Sequence, residues 1–310
     1  MLILSSIILG CAWFVLVNAL LSGLVALLAS ARPTILQRLG ATNLLVLRLL
    51  PAAGSLGFVL LLFLPAHWQW EMAGTNERFG MVLYLLAAAA VPLAGASIVR
   101  ATWALRQSRR LQQQARAAAV ASSSDVLEIA GFSGVSLAGV FRTTIFLGAS
   151  LRSALTSSEL AAAIAHERAH RRAWDNPKRF AVFCAPDFLA RTKAAARIEA
   201  AWRAESEYAA DAAAAGSDAR RGADLASALI KVARLLDAGP PAPRFPLWSL
   251  FCERELLEGR VRLLVAQEVR TRHWPLGVIL AAVLLASAAW LAALPYDVYR
   301  LSEALVGFLP

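Results

Sequence analysis

The chain has 310 residues, of which 58% are hydrophobic and only 17% charged, and its mean hydropathy is +0.57. That is too apolar for an ordinary soluble domain, so a membrane protein is expected. The three cysteines, Cys11, Cys184 and Cys252, are scattered without a CxxC, so neither a disulfide framework nor a cysteine zinc site is indicated.

Four stretches free of Lys, Arg, Asp and Glu are each long enough to cross a hydrocarbon core, which needs about 20 apolar residues. They are about 2–30, 49–68, 80–99 and 274–294. The first lacks a basic n-region and is too long for a signal-peptide core, so an uncleaved span is expected. Pro51 and Pro92 are tolerable inside membrane helices. Arg32, Arg38 and Arg48 follow the first span, Glu71 and Glu77 lie between the second and third, and 26 of the 31 basic residues lie in 100–273. The positive-inside rule then puts the amino terminus outside, 31–48 inside, 65–79 outside, 100–273 in the cytosol and the tail 295–310 outside. This topology accounts for the net charge of +10, and no basic stripe with interleaved aromatics stands out, so direct nucleic-acid binding is not expected.

Within the cytosolic segment, 105–122 reads as a polar helix leaving the membrane. "DVLEIAG" (125–131) and "GVFRTTIFLG" (139–148) are β-branched and bounded by glycines, so they read as short strands. Thr156 followed by Glu159 has capping-box spacing, and the alanine-rich run behind it favours helix until Asp175-Asn176-Pro177 stops it. Two further helices are expected, one ending near Gly216 and one over 222–238. "GPPAPRFP" (239–246) is a linker, and 249–273 is a charged amphipathic helix leading to the last span. The expected fold is mainly α: three spans in 1–104, an α+β cytosolic domain over 105–273, the fourth span 274–294, and a short tail.

"AHERAH" places His166 and His170 four apart with Glu167 beside the first. Positions i and i+4 share one helix face, so both imidazoles can reach one ion, and Glu167 can reach a water there as general base. The alternative is a solvated charged helix face, since Arg168, Arg171 and Arg172 make this helix basic. "RAESEYAADAAAA" (203–215) adds Glu207 and Asp211, again i and i+4. Acids in an alanine-rich helix are costly to bury without partners, and a cation is one such partner. Two histidines and one carboxylate leave a fourth position open, as in catalytic zinc sites, with Asp211 placed to hold a ligand histidine. The alternative for Glu207 and Asp211 is pairing with Arg203 or another surface arginine.

"HERAHRRAWDN" and "EYAAD" resemble the HExxH and ExxxD elements of membrane-bound gluzincin peptidases, in particular the BlaR1/MecR1-like family (peptidase family M56) and more distantly the HtpX and Ste24 group. "GVFRTTIFLGASLRSALTSSELAAAIAHERAH" and "EGRVRLL" (258–264) extend the resemblance over most of the chain. It implies a zincin-like gluzincin domain holding one Zn2+ per chain, with His166, His170 and Glu207 as ligands, Glu167 as general base and Asp211 behind a ligand. It also implies that the strand with Thr143, Thr144, Ile145 and Phe146 pairs, edge-on, with an extended substrate. BlaR1 and MecR1 carry an extracellular penicillin-binding sensor after the fourth span. Only 295–310 follow it here, so β-lactam sensing is not expected.

The expectation is therefore a zinc endopeptidase of a bacterial inner membrane, in contact with the bilayer. It would cleave a protein or peptide, such as a cytosolic regulator, in regulatory proteolysis. HtpX-like quality control and a catalytically silent signalling scaffold are the alternatives, and a homodimer is left open.

Overall fold

The computed structural model describes residues 2–31, 33–36, 38–70, 79–238, 249–250, 254–267 and 295–309. The expected fourth span, the linker 239–246 and Cys252 lie outside the described residues. The described residues are mainly helical with one small sheet. They form two compact units: Met1–Val99, Cys184–Trp202 and Arg272–Pro310 make the first, Arg100–Phe183 and Arg203–Thr271 the second.

The chain opens with α1 (Leu2–Ala31), the short α2 (Pro33–Leu36) and α3 (Ala41–Phe58). The last runs through a π-helical turn, Val59–Phe63, into α4 (Leu64–Trp70). Next comes α5 (Met81–Ala117). Three of these helical stretches, Ile3–Ala31, Ala41–Trp70 and Met81–Ala117, are long and apolar enough to cross a membrane. Their large apolar side chains Leu20, Leu27, Leu61, Leu85, Val91 and Ile98 point outward, as a lipid-facing surface would and a water-facing one rarely does.

The second stretch starts at Ala41, not at 49, because Gly40 is in extended conformation and caps the helix. Arg48, expected in the inner loop, therefore lies inside α3. It is buried and compensated there by Asp187 at 2.9 Å and Glu199 at 2.6 Å. Asn18 of α1 adds a second polar anchor. Its amide donates to the Pro51 and Pro186 carbonyls and to Ser55, and its oxygen accepts from the Phe188 N–H. Around these anchors Val25, Ala29, Leu36, Leu44 and Leu47 pack with Leu189, Ile198 and Trp202, each fully buried Leu or Ile contributing about 2 kcal/mol.

The helix expected over 105–122 is the continuation of α5 and ends at Ala117. After it come β1 (Ala119–Ser122), β2 (Val126–Ile129), β3 (Val135–Ala138) and β4 (Thr144–Gly148). The strand expected over 139–148 thus begins only at Thr144. Gly139 has φ +104°, a conformation reserved in practice for glycine, and turns the chain from β3 into β4. Then follow α6 (Leu151–Ala154), α7 (Ser157–Arg172) and α8 (Asp175–Cys184). Asp175-Asn176-Pro177 does more than end a helix. After Trp174, at φ +58°, it opens α8, whose first turn tolerates proline because no N–H is needed there.

A 3-10 turn, Leu189–Arg191, leads to α9 (Lys193–Ala215). Gly216, at φ +60°, closes α9 as a left-handed cap. α10 (Ala219–Ala238), β5 (Ser249–Leu250), α11 (Arg254–Ala266) and α12 (Pro295–Phe308) complete the described chain.

The sheet order is β1-β2-β4-β3-β5. β4 is parallel to β2 (Val126 opposite Ile145) and antiparallel to β3 (Val135 opposite Leu147). One sheet face supplies Val135, Leu137, Ile145 and Leu147 to a core with Ala162 and Ala163 of α7, Leu225, Leu229 and Val232 of α10, and Leu264 of α11. The capping box of α7 is present: Thr156 accepts from the Glu159 N–H, and Glu159 accepts from the Thr156 N–H at 2.8 Å. Glu159 also accepts from Ser227 at 2.6 Å and Lys231 at 2.8 Å on α10. One carboxylate thus caps α7 and fastens it to α10. Burial on its own would raise the Glu159 pKa, but the hydrogen bonds from Lys231, Ser227 and the Thr156 N–H outweigh it and lower it to about 2.

Candidate metal centre

α7 presents His166, Glu167 and His170 to the interior because Ala162, Ala163 and Ala169 let it lie close to its neighbours. α9 brings Glu207 and Asp211 to the same place. The side chains of His166, His170 and Glu207 are fully buried, and one ligand atom from each lies within 4.8 Å of the others, so together they can hold a metal ion. The imidazole Nε2 atoms are 3.0 Å apart. Each is 3.4 Å from a different oxygen of Glu207, His166 from Oε2 and His170 from Oε1.

Each ring is oriented from behind by a carboxylate. His166 Nδ1 lies 2.8 Å from Asp211 Oδ1, the arrangement expected from the sequence. His170 Nδ1 lies 2.7 Å from Asp175 Oδ2, which also accepts from Ser206 at 2.8 Å. A carboxylate on Nδ1 fixes the proton there and leaves the Nε2 lone pair free for a metal. The next residue, Asn176, donates to the carbonyls of Leu137 (2.9 Å) and Gly139 (2.7 Å). This ties the start of α8 to the end of β3.

Two buried guanidiniums complete the cluster. Arg260 of α11 donates from Nε and Nη2 to the two oxygens of Asp211, both at 2.7 Å, and its Nη1 is 3.1 Å from Glu207 Oε2. Arg179 of α8 approaches Glu207 Oε1 at 3.6 Å. Asp175, Arg179 and Arg260 were not singled out in the sequence. Arg260 had a signal there: it stands between Leu257, Val261 and Leu264, a lone charge on the apolar face of an amphipathic helix. Asp175 had none, because its role depends on the turn at Trp174.

The donor set fits a divalent cation. Two Nε2 lone pairs and a carboxylate converge on one point, which is repulsive without a proton or a cation between them. Four buried carboxylates (Glu167, Asp175, Glu207 and Asp211) face two buried guanidiniums, which leaves two negative charges when all are ionised. Burial opposes the charging of His170, but the Glu207 charge and the hydrogen bond with Asp175 outweigh it and push its pKa up to about 10. A metal ion competes with that proton for the same nitrogen. Burial would also raise Glu207, yet His170 and Arg260 hold it well below the usual carboxylate range.

Glu167 differs from its neighbours. Both its oxygens are buried and, among the described residues, neither has a hydrogen-bond partner. Burial raises its pKa against the opposing charges of His166 and His170. A buried carboxylate without a partner costs free energy and points to a polar occupant beside the cluster.

Thr143, Thr144, Ile145 and Phe146 do not form a free edge. β4 is paired on both sides, by β2 and β3, so an extended chain cannot add beside it and the expected pairing with substrate is corrected. Thr143 is also engaged, accepting from Arg171 at 3.1 Å. Arg168 and Arg171 reach Asp125 at 2.9 and 3.1 Å. They lie on the outer side of α7, away from the buried cluster. No protein-family model and no curated protein matches the chain.

Proposed function

We propose that the protein is a membrane-bound zinc endopeptidase whose catalytic domain lies in the cytosol. The observation that carries this reading is the carboxylate of Glu167, without a hydrogen-bond partner among the described residues, beside a cluster of three candidate ligands. A structural metal site would need neither the open position nor a costly buried base.

His166, His170 and Glu207 would hold the ion, and two imidazoles with one carboxylate favour zinc. Bound there, it would supply Lewis-acid polarisation of a peptide carbonyl and a water of lowered pKa. Glu167 takes a proton from the attacking water as the oxygen bonds to the carbonyl carbon. It then gives that proton to the departing amine nitrogen as the C–N bond breaks. A raised carboxylate pKa suits both halves of this transfer. Asp211 and Asp175 keep the two imidazoles in one tautomer throughout. The substrate class is a polypeptide, such as a cytosolic regulator.

Two sets of contacts within the first unit support the proposed topology. Arg48, near the expected inner end of the second span, meets Asp187 and Glu199 of the expected cytosolic segment. Trp70 and Tyr296, in the two segments expected outside, stack edge-on with centroids 5.2 Å apart.

The purified protein is expected to contain one zinc per chain, lost in His166→Ala. Less than one zinc in the wild type, unchanged by that substitution, would refute the metal centre. Cells carrying Glu167→Ala should lack specific cleavage products. A single missing regulator fragment supports regulatory proteolysis, while broad membrane-protein accumulation transfers the reading to quality control. No difference in products leaves a silent scaffold.

A further inference from the structure

Along α5 the exposed side chains change in kind. Ile98 and Val99 are apolar, Trp103 is aromatic, and Arg106, Arg109 and Arg110 follow. A helix leaving a bilayer shows this order, because an indole favours the boundary between hydrocarbon and water and cationic heads favour anionic headgroups. Trp103 has aromatic company at that level. It packs on Phe183 of α8 with centroids 5.9 Å apart, and Phe141, in the turn between β3 and β4, meets Phe180 of α8 edge-on at 5.6 Å. Phe180 and Phe183 share one face of α8, and both pack with Ala104 and Val140. Trp103, Phe183, Phe180 and Phe141 thus form one aromatic row, all of it within the second unit.

The far end of the row is braced. The turn that carries Phe141 is held at both ends by the Gln112 amide, which donates to the carbonyls of Ala138 at 3.2 Å and Arg142 at 2.9 Å. Gly139 leaves room for that amide, since a Cβ there would overlap it. The turn is therefore fixed against α5 with Phe141 62% exposed, while Trp103 at the other end is 47% exposed. Single exposed apolar residues are ordinary. A connected aromatic row that joins a candidate span to a braced turn marks an interaction surface. The segments that carry it, 100–117, 139–148 and 176–184, contain no Asp or Glu, and Arg142 beside Phe141 is exposed. The surface is thus flanked by cations alone, which fits an anionic layer.

We infer that the row from Trp103 to Phe141 lies in the headgroup layer of the membrane, with Arg106, Arg109, Arg110 and Arg142 against anionic headgroups. α8 and the turn between β3 and β4 then rest on lipid. The helix that opens with Asp175, the partner of His170, is seated on the bilayer as well as on the protein. The inference needs the candidate spans but neither the metal centre nor hydrolysis.

The test uses the full-length protein with Cys11, Cys184 and Cys252 replaced, in bilayer nanodiscs of phosphatidylcholine and phosphatidylglycerol. Phe141→Cys carries a nitrobenzoxadiazole label. Ser157→Cys, exposed at the opposite end of α7 from the turn into α8, carries the same label as the aqueous reference. The label at 141 is expected to be quenched severalfold more by a headgroup-attached nitroxide than the label at 157, and severalfold less by iodide. Nanodiscs of phosphatidylcholine alone should weaken the nitroxide quenching at 141, because the arginines lose the anionic surface. Arg142→Cys serves in the same way if Phe141→Cys does not fold. Equal quenching at 141 and 157 by both agents would overturn the inference, as would a reading at 141 indifferent to phosphatidylglycerol. A label at 141 that is open to iodide on lipid and becomes shielded only when casein is added would give the row to a polypeptide partner, which overturns the inference too.

Discussion

At the scale of single residues, the carboxylates divide into those that serve the cluster and those that hold the scaffold. Glu159 belongs to the second group, and its pKa gives a signed expectation. Its folded value of about 2 lies below the ordinary 4.5, so its contribution is fully present above pH 4.5 and is lost as the pH falls through 2. Glu159→Gln should lower stability at pH 7 by about 1 kcal/mol, a typical cap and ion-pair effect. Thermal unfolding of both proteins between pH 7 and 2 checks this: the gap in midpoint should close as the pH falls. A constant gap would show that the charge is not what Lys231 and Ser227 hold. The candidate ligand residues were legible in the sequence because helical periodicity alone puts His166 with His170 and Glu207 with Asp211. Asp175 and Arg260 reach the same cluster through a turn and a distant helix, and no local spacing reports such a meeting.

At the scale of elements, the long helices followed from hydropathy and capping, since these are local properties. Of the strands, β2 and β4 fall inside the two glycine-bounded runs, 125–131 and 139–148, but β1 and β3 had no such signal. β1 and β3 are four residues each and exist because neighbours pair with them; Ala119–Ser122 has no strong strand preference of its own. The placement of β4 was missed for the same reason, because whether a strand is an edge depends on segments far along the chain. A close approach at the end of β4 gives an element-scale prediction. A side chain at Gly148 would overlap the Phe132 carbonyl, and the Gly148 N–H also donates to Gly134 at 2.9 Å. Gly148→Ala should therefore cost about 2 kcal/mol, in the range of overpacking strain. Limited proteolysis should then cut 100–183 at lower temperature than in the wild type. Equal protection of both proteins would show that the β3–β4 region relaxes at no cost.

At the scale of the whole molecule, the charge pattern gives an expectation to test: the positive-inside rule would put the candidate metal cluster on the side where the basic residues gather. In a background with Cys11, Cys184 and Cys252 replaced, Ser123→Cys and Glu303→Cys offer exposed positions on the two expected sides. An impermeant thiol reagent added to intact cells should label 303 and spare 123 until the membrane is opened. The reverse pattern would invert the topology and move the substrate to the other compartment. Hydropathy made the spans legible, but it carried no information on how Arg48 is neutralised. That required the segment 187–199, which is some 140 residues further on.

The alanines beneath α7 have one more consequence. A helix seated on leucines or methionines can shift its cargo by exchanging side-chain conformers. Ala162, Ala163 and Ala169 have no conformers to exchange. The two imidazoles are therefore carried on a helix whose own contact residues bring no rotamers to the leucines and valines they pack against, and less ordering entropy remains to be lost if a cation binds. How readily an ion could be held there would then depend on the smallest side chains in the neighbourhood as much as on those that would touch it.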